Sequence, residues 1–184
     1  MSDSDLAPAF LVAMDKLWDP NFRGSVVLML HHDDQGAIGL VVNRVTDLPM
    51  ASLCETFGLA WNGPPEMRVD WGGPVQPELG WMLLGEGGFD LAEVESVTEG
   101  IRFTRSNEVL REVVKNPPRQ MRMFLGYAGW GPGQLERELA QGAWLVAPVS
   151  PGLVFEADRE RLWDDVVRSL GIEPATLVQT QGVN

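Results

Sequence analysis

The chain has 184 residues, of which 45% are hydrophobic and 22% are charged, and its formal net charge is −12. The hydrophobic share is enough to build a core without disulfide staples, and the length predicts one domain. Because the negative charge repels phosphate backbones, direct nucleic-acid binding is not expected.

The chain also shows no signal for export or membrane insertion. No apolar run approaches the roughly 20 residues of a membrane span, and the acidic N-terminus does not resemble a secretion signal. The single cysteine, Cys54, cannot form an internal disulfide, which fits a reducing compartment. We therefore expect a cytoplasmic protein without a membrane partner.

The first quarter of the chain is dominated by strand patterns. The apolar run at residues 9–14 predicts a strand, and Asp-Pro-Asn at residues 19–21 predicts a turn. Residues 25–32 and 37–44, joined by Asp-Asp-Gln-Gly, give the strongest β-hairpin signal in the chain. Both arms are nearly continuous in apolar residues, which predicts that both faces of these strands are covered.

Helix patterns follow at two places in the middle of the chain. Pro49 and Gly58 delimit one predicted helix, whose apolar face carries Leu53, Cys54 and Phe57. The second helix spans residues 107–116, with Ser106 or Asn107 as its cap and a Pro-Pro pair after its end.

The remaining patterns complete the predicted elements. Further strands are expected in segments 67–75, 79–87, 99–104, 120–128 and 143–149. A final amphipathic helix is predicted over 158–170, with its apolar side formed by Leu162, Trp163, Val166, Val167 and Leu170. The polar tail, residues 178–184, is expected to fray.

This order of elements is neither strict β-α-β alternation nor all-β. It predicts an α+β fold in a single domain over residues 1–184. We expect one large mixed sheet, mostly antiparallel and either open or curled, with helices packed against it.

The glycine-rich stretch GYAGWGPGQ, residues 126–134, stands directly before a predicted helix. Exposed backbone at a helix start can bind an anion, but the first cation is Arg137, and Glu136 and Glu138 flank it. The alternative is a structural corner, in which the glycines let Trp130 fold back and the helix lie close to the sheet. The sequence favours the corner, and Gln134 is the best polar candidate for contact with a ligand.

The two histidines and the cysteine do not predict a metal site. His31 and His32 are neighbours on a strand and point to opposite faces, so they cannot easily hold one ion. Cys54 lies on an apolar helix face, where a buried and inert thiol is expected. We therefore predict no metal, no cofactor and no catalytic residue, although His32 could act as an acid or base with a partner from elsewhere in the chain.

Four segments together resemble the YqgE/AlgH family of bacterial proteins. They are DPNFRGSVVLMLHHDDQGAIGLVVNR, WGGPV, LGYAGWGPGQLERELAQGAWL and LWDDVVRSLG, in that order. The resemblance implies a single α+β domain with a large mixed sheet, in a bacterial cytoplasmic protein. Some family members carry the label of transcriptional regulator, but the resemblance implies no catalytic residues. Leu84 stands where the family often has histidine, which weakens any histidine-based site.

Two hypotheses about function follow. The first is a non-enzymatic regulatory or interaction protein that acts indirectly, through a protein partner. The second is a small-molecule-binding protein or enzyme, with a site built from the Gly-Gly-Pro corner, Asn43 and residues 130–134. The candidate contacts are His32, Asn43, Gly72, Gly73, Pro74, Gly129, Trp130, Gly133 and Gln134. A deep pocket where these segments converge would favour the second hypothesis.

Overall fold

The computed structural model describes residues 5–15, 17, 19–87 and 92–179. Within these residues, ten strands form one sheet: Ala9–Ala13 (β1), Val26–Asp33 (β2), Gly36–Val41 (β3), Val45–Pro49 (β4), Arg68–Trp71 (β5), Val75–Leu84 (β6), Glu95–Thr98 (β7), Ile101–Thr104 (β8), Met121–Trp130 (β9) and Trp144–Ala147 (β10). The described helices are Met50–Thr56 (α1), Asn107–Val113 (α2), Gln134–Ala140 (α3), Pro151–Phe155 (α4), Leu162–Ser169 (α5) and Pro174–Gln179 (α6).

Strand β9 is the centre of the sheet, which runs in the order β10-β1-β2-β3-β9-β6-β8-β7. One edge of β9 pairs with β6, antiparallel. The other edge is shared, because β3 pairs antiparallel with its C-terminal part and β5 pairs parallel with Phe124 and Leu125. This arrangement confirms the predicted α+β fold with a mixed, mostly antiparallel sheet. The sheet divides where β3 and β5 share one edge of β9, and we call this point the fork.

Both faces of the sheet are covered, as the apolar hairpin arms predicted. In β1, Phe10 and Val12 belong to one core, which α4 and α5 cover, whereas Leu11 and Ala13 face a second core beneath α3. A third core, beneath α1 and α2, contains Cys54. Since alternate residues of one strand reach different cores, a shift of one residue in pairing would exchange their environments.

A buried ionic cluster fixes the helical layer to the fork of the sheet. Asp70 on β5 is fully buried, and its carboxylate accepts hydrogen bonds from Arg122 Nε at 3.1 Å and from Arg159 Nε at 2.6 Å. Arg122 also donates to the carbonyl oxygens of Val154, at 2.9 Å, and Val42, at 2.7 Å. The cluster therefore joins β5, β9, the end of β3 and α4 through charge-assisted hydrogen bonds.

Several elements differ from the sequence predictions. The sequence did not predict β4, β7, α4 or α6. Strand β9 continues past the predicted end at residue 128 to Trp130, because β3 pairs with it there. Phe57, which was placed on the apolar face of α1, is 42% exposed. Helix α6 extends to Gln179, into the tail expected to fray, and the rest of that tail, residues 180–184, lies outside the described residues.

Candidate functional site

The Gly-Gly-Pro corner is filled by protein backbone. A Cβ atom at Gly72 would overlap the carbonyl oxygen of Gly126, and one at Gly73 would overlap the backbone of Tyr127. The Gly72 amide donates to the carbonyl oxygen of Leu125 at 2.8 Å, and the Gly72 carbonyl accepts from the amide of Val41 at 2.8 Å. Gly72 thus connects β3 and β9 at the fork. Backbone atoms already occupy the positions that side chains of the two glycines would take, so no ligand can bind there.

Asn43 is engaged within the protein, whereas Pro74 is exposed. The Asn43 side chain accepts a hydrogen bond from the Val26 amide at 2.9 Å and donates one to the Gly24 carbonyl at 2.9 Å. These bonds hold the chain as it enters β2. Pro74 is exposed beside the glycine corner. A contact of either residue with a ligand stays a prediction.

Residues 130–134 organise the start of α3. Gly133 caps the helix with a φ of 71°, and the Gln134 side-chain oxygen accepts a hydrogen bond from the Gly131 amide at 3.1 Å. Trp130 is 6% exposed and donates its indole N–H to Glu138 at 2.9 Å. These contacts give Trp130 and Gln134 structural partners within the protein.

Glu138 is the centre of an aromatic cluster beneath α3. Its Oε2 atom accepts hydrogen bonds from the indoles of both Trp130, at 2.9 Å, and Trp144, at 2.8 Å. The two indole rings lie 5.9 Å apart, edge to face, and Phe22 packs against both. The carboxylate thus satisfies two polar groups that would otherwise be costly to bury.

His32 has its partner from a distant part of the chain. Its Nδ1 atom accepts a hydrogen bond from the Leu6 amide at 3.1 Å, so Nε2 carries the proton that is shared with Glu136 Oε1 at 2.6 Å. The imidazole is 2% exposed and the Glu136 side chain 45% exposed. Because both ring nitrogens are engaged, His32 links the N-terminal segment and α3 to β2.

Replacing Glu136 with glutamine should change the pH dependence of stability. The pKa of Glu136 is lowered, first by a hydrogen bond from its own backbone amide and then by the hydrogen bond from His32. A carboxylate with a lowered folded-state pKa stabilises the fold above its unfolded value of 4.5, and this contribution is lost as the pH falls through the folded value. In urea denaturation at a series of pH values, the wild type should lose stability more steeply than Glu136→Gln below about pH 4.5. Parallel curves for the two proteins across the acid range would contradict this assignment.

An open cleft of about 430 Å³ lies between the tip of the β2–β3 hairpin and the C-terminal end of β9. Its lining includes His31, Asp33, Gln35, Tyr127, Gly129 and Trp130. Gly129 and Trp130 are therefore the two predicted contacts that line this cleft, and the other seven do not line it. The remaining lining residues were not predicted from the sequence, although the alternation along β2 already implied that His31 and His32 face opposite sides.

The cleft combines aromatic side chains with one acidic residue, Asp33. The Tyr127 ring is partly buried and meets Trp81 edge to face at 5.5 Å. The His31 side chain is 60% exposed, and its Nε2 atom lies 3.6 Å from a carboxylate oxygen of Glu95. Asp33 is exposed, and its Oδ1 atom accepts a hydrogen bond from the Gln35 amide at 2.8 Å. Such a surface suits a cation, which carboxylates attract and an aromatic ring can also bind.

The described residues offer little reactive chemistry outside this cleft. Cys54 is buried, and burial raises the pKa of its thiol, so the nucleophilic thiolate is disfavoured. In the part of the chain that the structure describes, no three side chains among His, Cys, Asp and Glu are grouped to hold a metal ion. None of the described helices combines the length and the apolar content needed to cross a bilayer.

Comparisons with known proteins match this chain over nearly its whole length. An UPF0301 protein of Myxococcus xanthus is 41% identical over 182 residues, covering 98% of this chain and 99% of that protein. An UPF0301 protein of Anaeromyxobacter sp. is 42% identical, with 92% and 90% covered.

Solved structures agree with the fold. The solution structure of the AlgH protein from Pseudomonas aeruginosa has a TM-score of 0.81 and 32% identity, covering all of this chain and 98% of that one. A crystal structure of a protein from Corynebacterium diphtheriae, with a TM-score of 0.72 and 24% identity over the whole chain and 95% of its own, shares the fold. A family model described as AlgH-like matches residues 10–175, and the chain therefore belongs to the AlgH-like family.

Proposed function

We propose that this chain is a non-enzymatic interaction protein of the cytoplasm, and that it binds a basic segment of a partner protein in the cleft beside the β2–β3 hairpin. Any regulatory effect is then indirect, through that partner. The observation that carries this proposal is the composition of the cleft, which is lined by both the Tyr127 ring and the exposed residue Asp33. Lysine and arginine side chains can satisfy both groups at once.

The charge of the whole chain supports the same choice of partner. A net charge of −12 attracts basic segments over long distances and speeds their encounter with the cleft. The same field repels nucleic acid, so a regulatory role through direct contact with DNA is not part of the proposal. His32, for which the sequence left an acid or base role open, is engaged in hydrogen bonds within the protein.

The proposal predicts that filling the cleft removes the partner without unfolding the protein. A Cβ atom at Gly129 would lie 3.4 Å from the Tyr127 ring, an ordinary contact, so Gly129→Val should fold and narrow the cleft. Gly131→Val makes the same change two residues further on, where a Cβ atom meets no atom closer than 4.0 Å. Gly131 is not among the residues that line the cleft, and it serves as the matched control.

The measurement is quantitative capture from a native lysate of the source organism, with bound proteins and small molecules both analysed. We expect a protein whose recovery falls at least tenfold with Gly129→Val and with Asp33→Asn, but not with Gly131→Val. Equal recovery of every captured protein by all variants would refute the proposed site. Recovery of a small molecule alone, lost with Gly129→Val, would instead favour a small-molecule-binding protein.

A further inference from the structure

The N-terminal segment, residues 5–8, packs against the second core just before β1 begins, and we call it the strap. Leu6 and Ala7 are partly buried against that core, whereas the two end residues of the strap are exposed. Within the described residues, a single hydrogen bond joins the strap to the rest of the protein, from the Leu6 amide to His32 Nδ1 at 3.1 Å. The polar attachment of the strap therefore depends on a ring that can take up a proton.

The hydrogen bonds around His32 require a neutral imidazole. Nδ1 can accept from the Leu6 amide only while it carries no proton. Protonation would place an N–H donor opposite the Leu6 N–H, and the hydrogen bond would be lost. Nε2, in contrast, keeps its acceptor, Glu136 Oε1 at 2.6 Å, and this contact becomes an ion pair. One proton therefore breaks the link to the strap and strengthens the link to α3.

The charges near His32 favour a positive ring. The titratable residues on the described elements around it are Asp5 on the strap, His31 and Asp33 on β2, and Glu136, Arg137 and Glu138 on α3. The neighbouring strands β1 and β3 carry no titratable side chain. Of these groups, Glu136 is the one that contacts the imidazole. Its carboxylate offsets the cost of charging a ring that is 2% exposed.

We propose that His32 is a pH-sensitive switch that releases the strap when its imidazole is protonated. The form with the strap bound accepts only the neutral ring, whereas the released form accepts either protonation state. A falling pH therefore shifts the population toward the released form, between about pH 7.5 and 5.5, where imidazoles ordinarily titrate. Release uncovers the part of the second core that Leu6 and Ala7 cover, while Glu136 keeps α3 in place. This inference does not depend on the function proposed for the cleft.

NMR of the full chain labelled with ¹⁵N follows both events in one titration. The imidazole nitrogen shifts report the protonation of His32, and amide relaxation reports the mobility of Leu6 and Ala7. From about pH 7.5 to 5.5, the order parameters of these two amides should fall from about 0.85 to below about 0.6, with the same midpoint as the protonation. The order parameter of the Glu136 amide should not change. Ordered Leu6 and Ala7 beside a protonated His32, or a ring that stays neutral at about pH 5.5, would overturn the proposal.

Two asparagine variants separate the switch from general effects of acid. His32→Asn places an amide oxygen near the position of Nδ1, where it can accept from the Leu6 amide but does not titrate. The strap should therefore stay ordered in this variant at about pH 5.5. His31→Asn removes the neighbouring histidine, which is 60% exposed on the opposite face, and should release the strap as the wild type does. Release of the strap in His32→Asn at the wild-type midpoint would overturn the proposal.

Glu136→Gln tests the switch in case His32→Asn does not hold the strap at neutral pH. The glutamine oxygen still accepts from Nε2, but the charge that attracts the imidazolium is gone. Release should therefore need a pH lower by about half a unit or more. An unchanged midpoint in Glu136→Gln would overturn the proposal.

Discussion

Replacing Asp70 with asparagine should destabilise the protein by about 3–5 kcal/mol, since breaking a buried charge pair leaves an uncompensated charge. Asp70 is fully buried and receives hydrogen bonds from Arg122 and Arg159, and Arg122 is itself 5% exposed. An asparagine amide would turn two further donors toward guanidinium groups that need an acceptor. Urea denaturation, followed by tryptophan fluorescence, measures the difference in the free energy of unfolding.

The control for this change is Asp47→Asn. Asp47 pairs with Arg68 at 3.7 Å and is fully exposed, so its loss should not measurably change stability. Unfolding of Asp70→Asn and Asp47→Asn at the same urea concentration would contradict this prediction. It would show that the ionic cluster does not hold α4 and Arg159 to the sheet.

Replacing Gly126 with alanine should destabilise the protein by about 3 kcal/mol or more, because two costs combine. Gly126 has a φ of 74°, which is unfavourable for alanine, and its Cβ atom would overlap the carbonyl oxygen of Gly73. That carbonyl belongs to the backbone at the fork, which cannot move away without breaking the pairing of β5 with β9. Thermal and urea denaturation both measure the effect.

Gly171→Ala isolates the backbone cost alone. Gly171 also has a φ of 74°, but a Cβ atom there would meet nothing within 4 Å. We expect this variant to lose about 1–2 kcal/mol. Equal losses for the two variants would show that the close approach of Gly73 to Gly126 contributes nothing.

The elements that sequence predicted correctly are those specified by local patterns. The β2–β3 hairpin has two apolar arms around a short polar turn, and α2 begins with the Ser106 side chain accepting from the Val109 amide. Strands β4 and β7 were missed because they are short, carry few apolar residues in a row and have no buried residue. Their conformation depends on pairing with β5 and β8, which no local pattern reports.

The glycine-rich stretch shows why the candidate site was harder to predict. Four glycines before a helix predicted a structural corner, yet residues up to Trp130 belong to β9, because β6 pairs with it at Tyr127 and β3 pairs with it beyond. The partner of His32 is Glu136, which is 104 residues away, and the cleft brings Tyr127 beside the β2–β3 hairpin. Such contacts depend on strand order, and the sequence carries no local signal for them.

The most direct test of the proposed function is photocross-linking in cells from a p-benzoylphenylalanine at Gln35, on the cleft, compared with one at the exposed Glu160. We expect one discrete protein adduct from Gln35, attached to a segment rich in lysine or arginine and absent when Gly129→Val is added. Glu160 should not produce that adduct. No adduct from Gln35, or an adduct that persists with Gly129→Val, would contradict the claim that this cleft binds a basic segment of a partner protein.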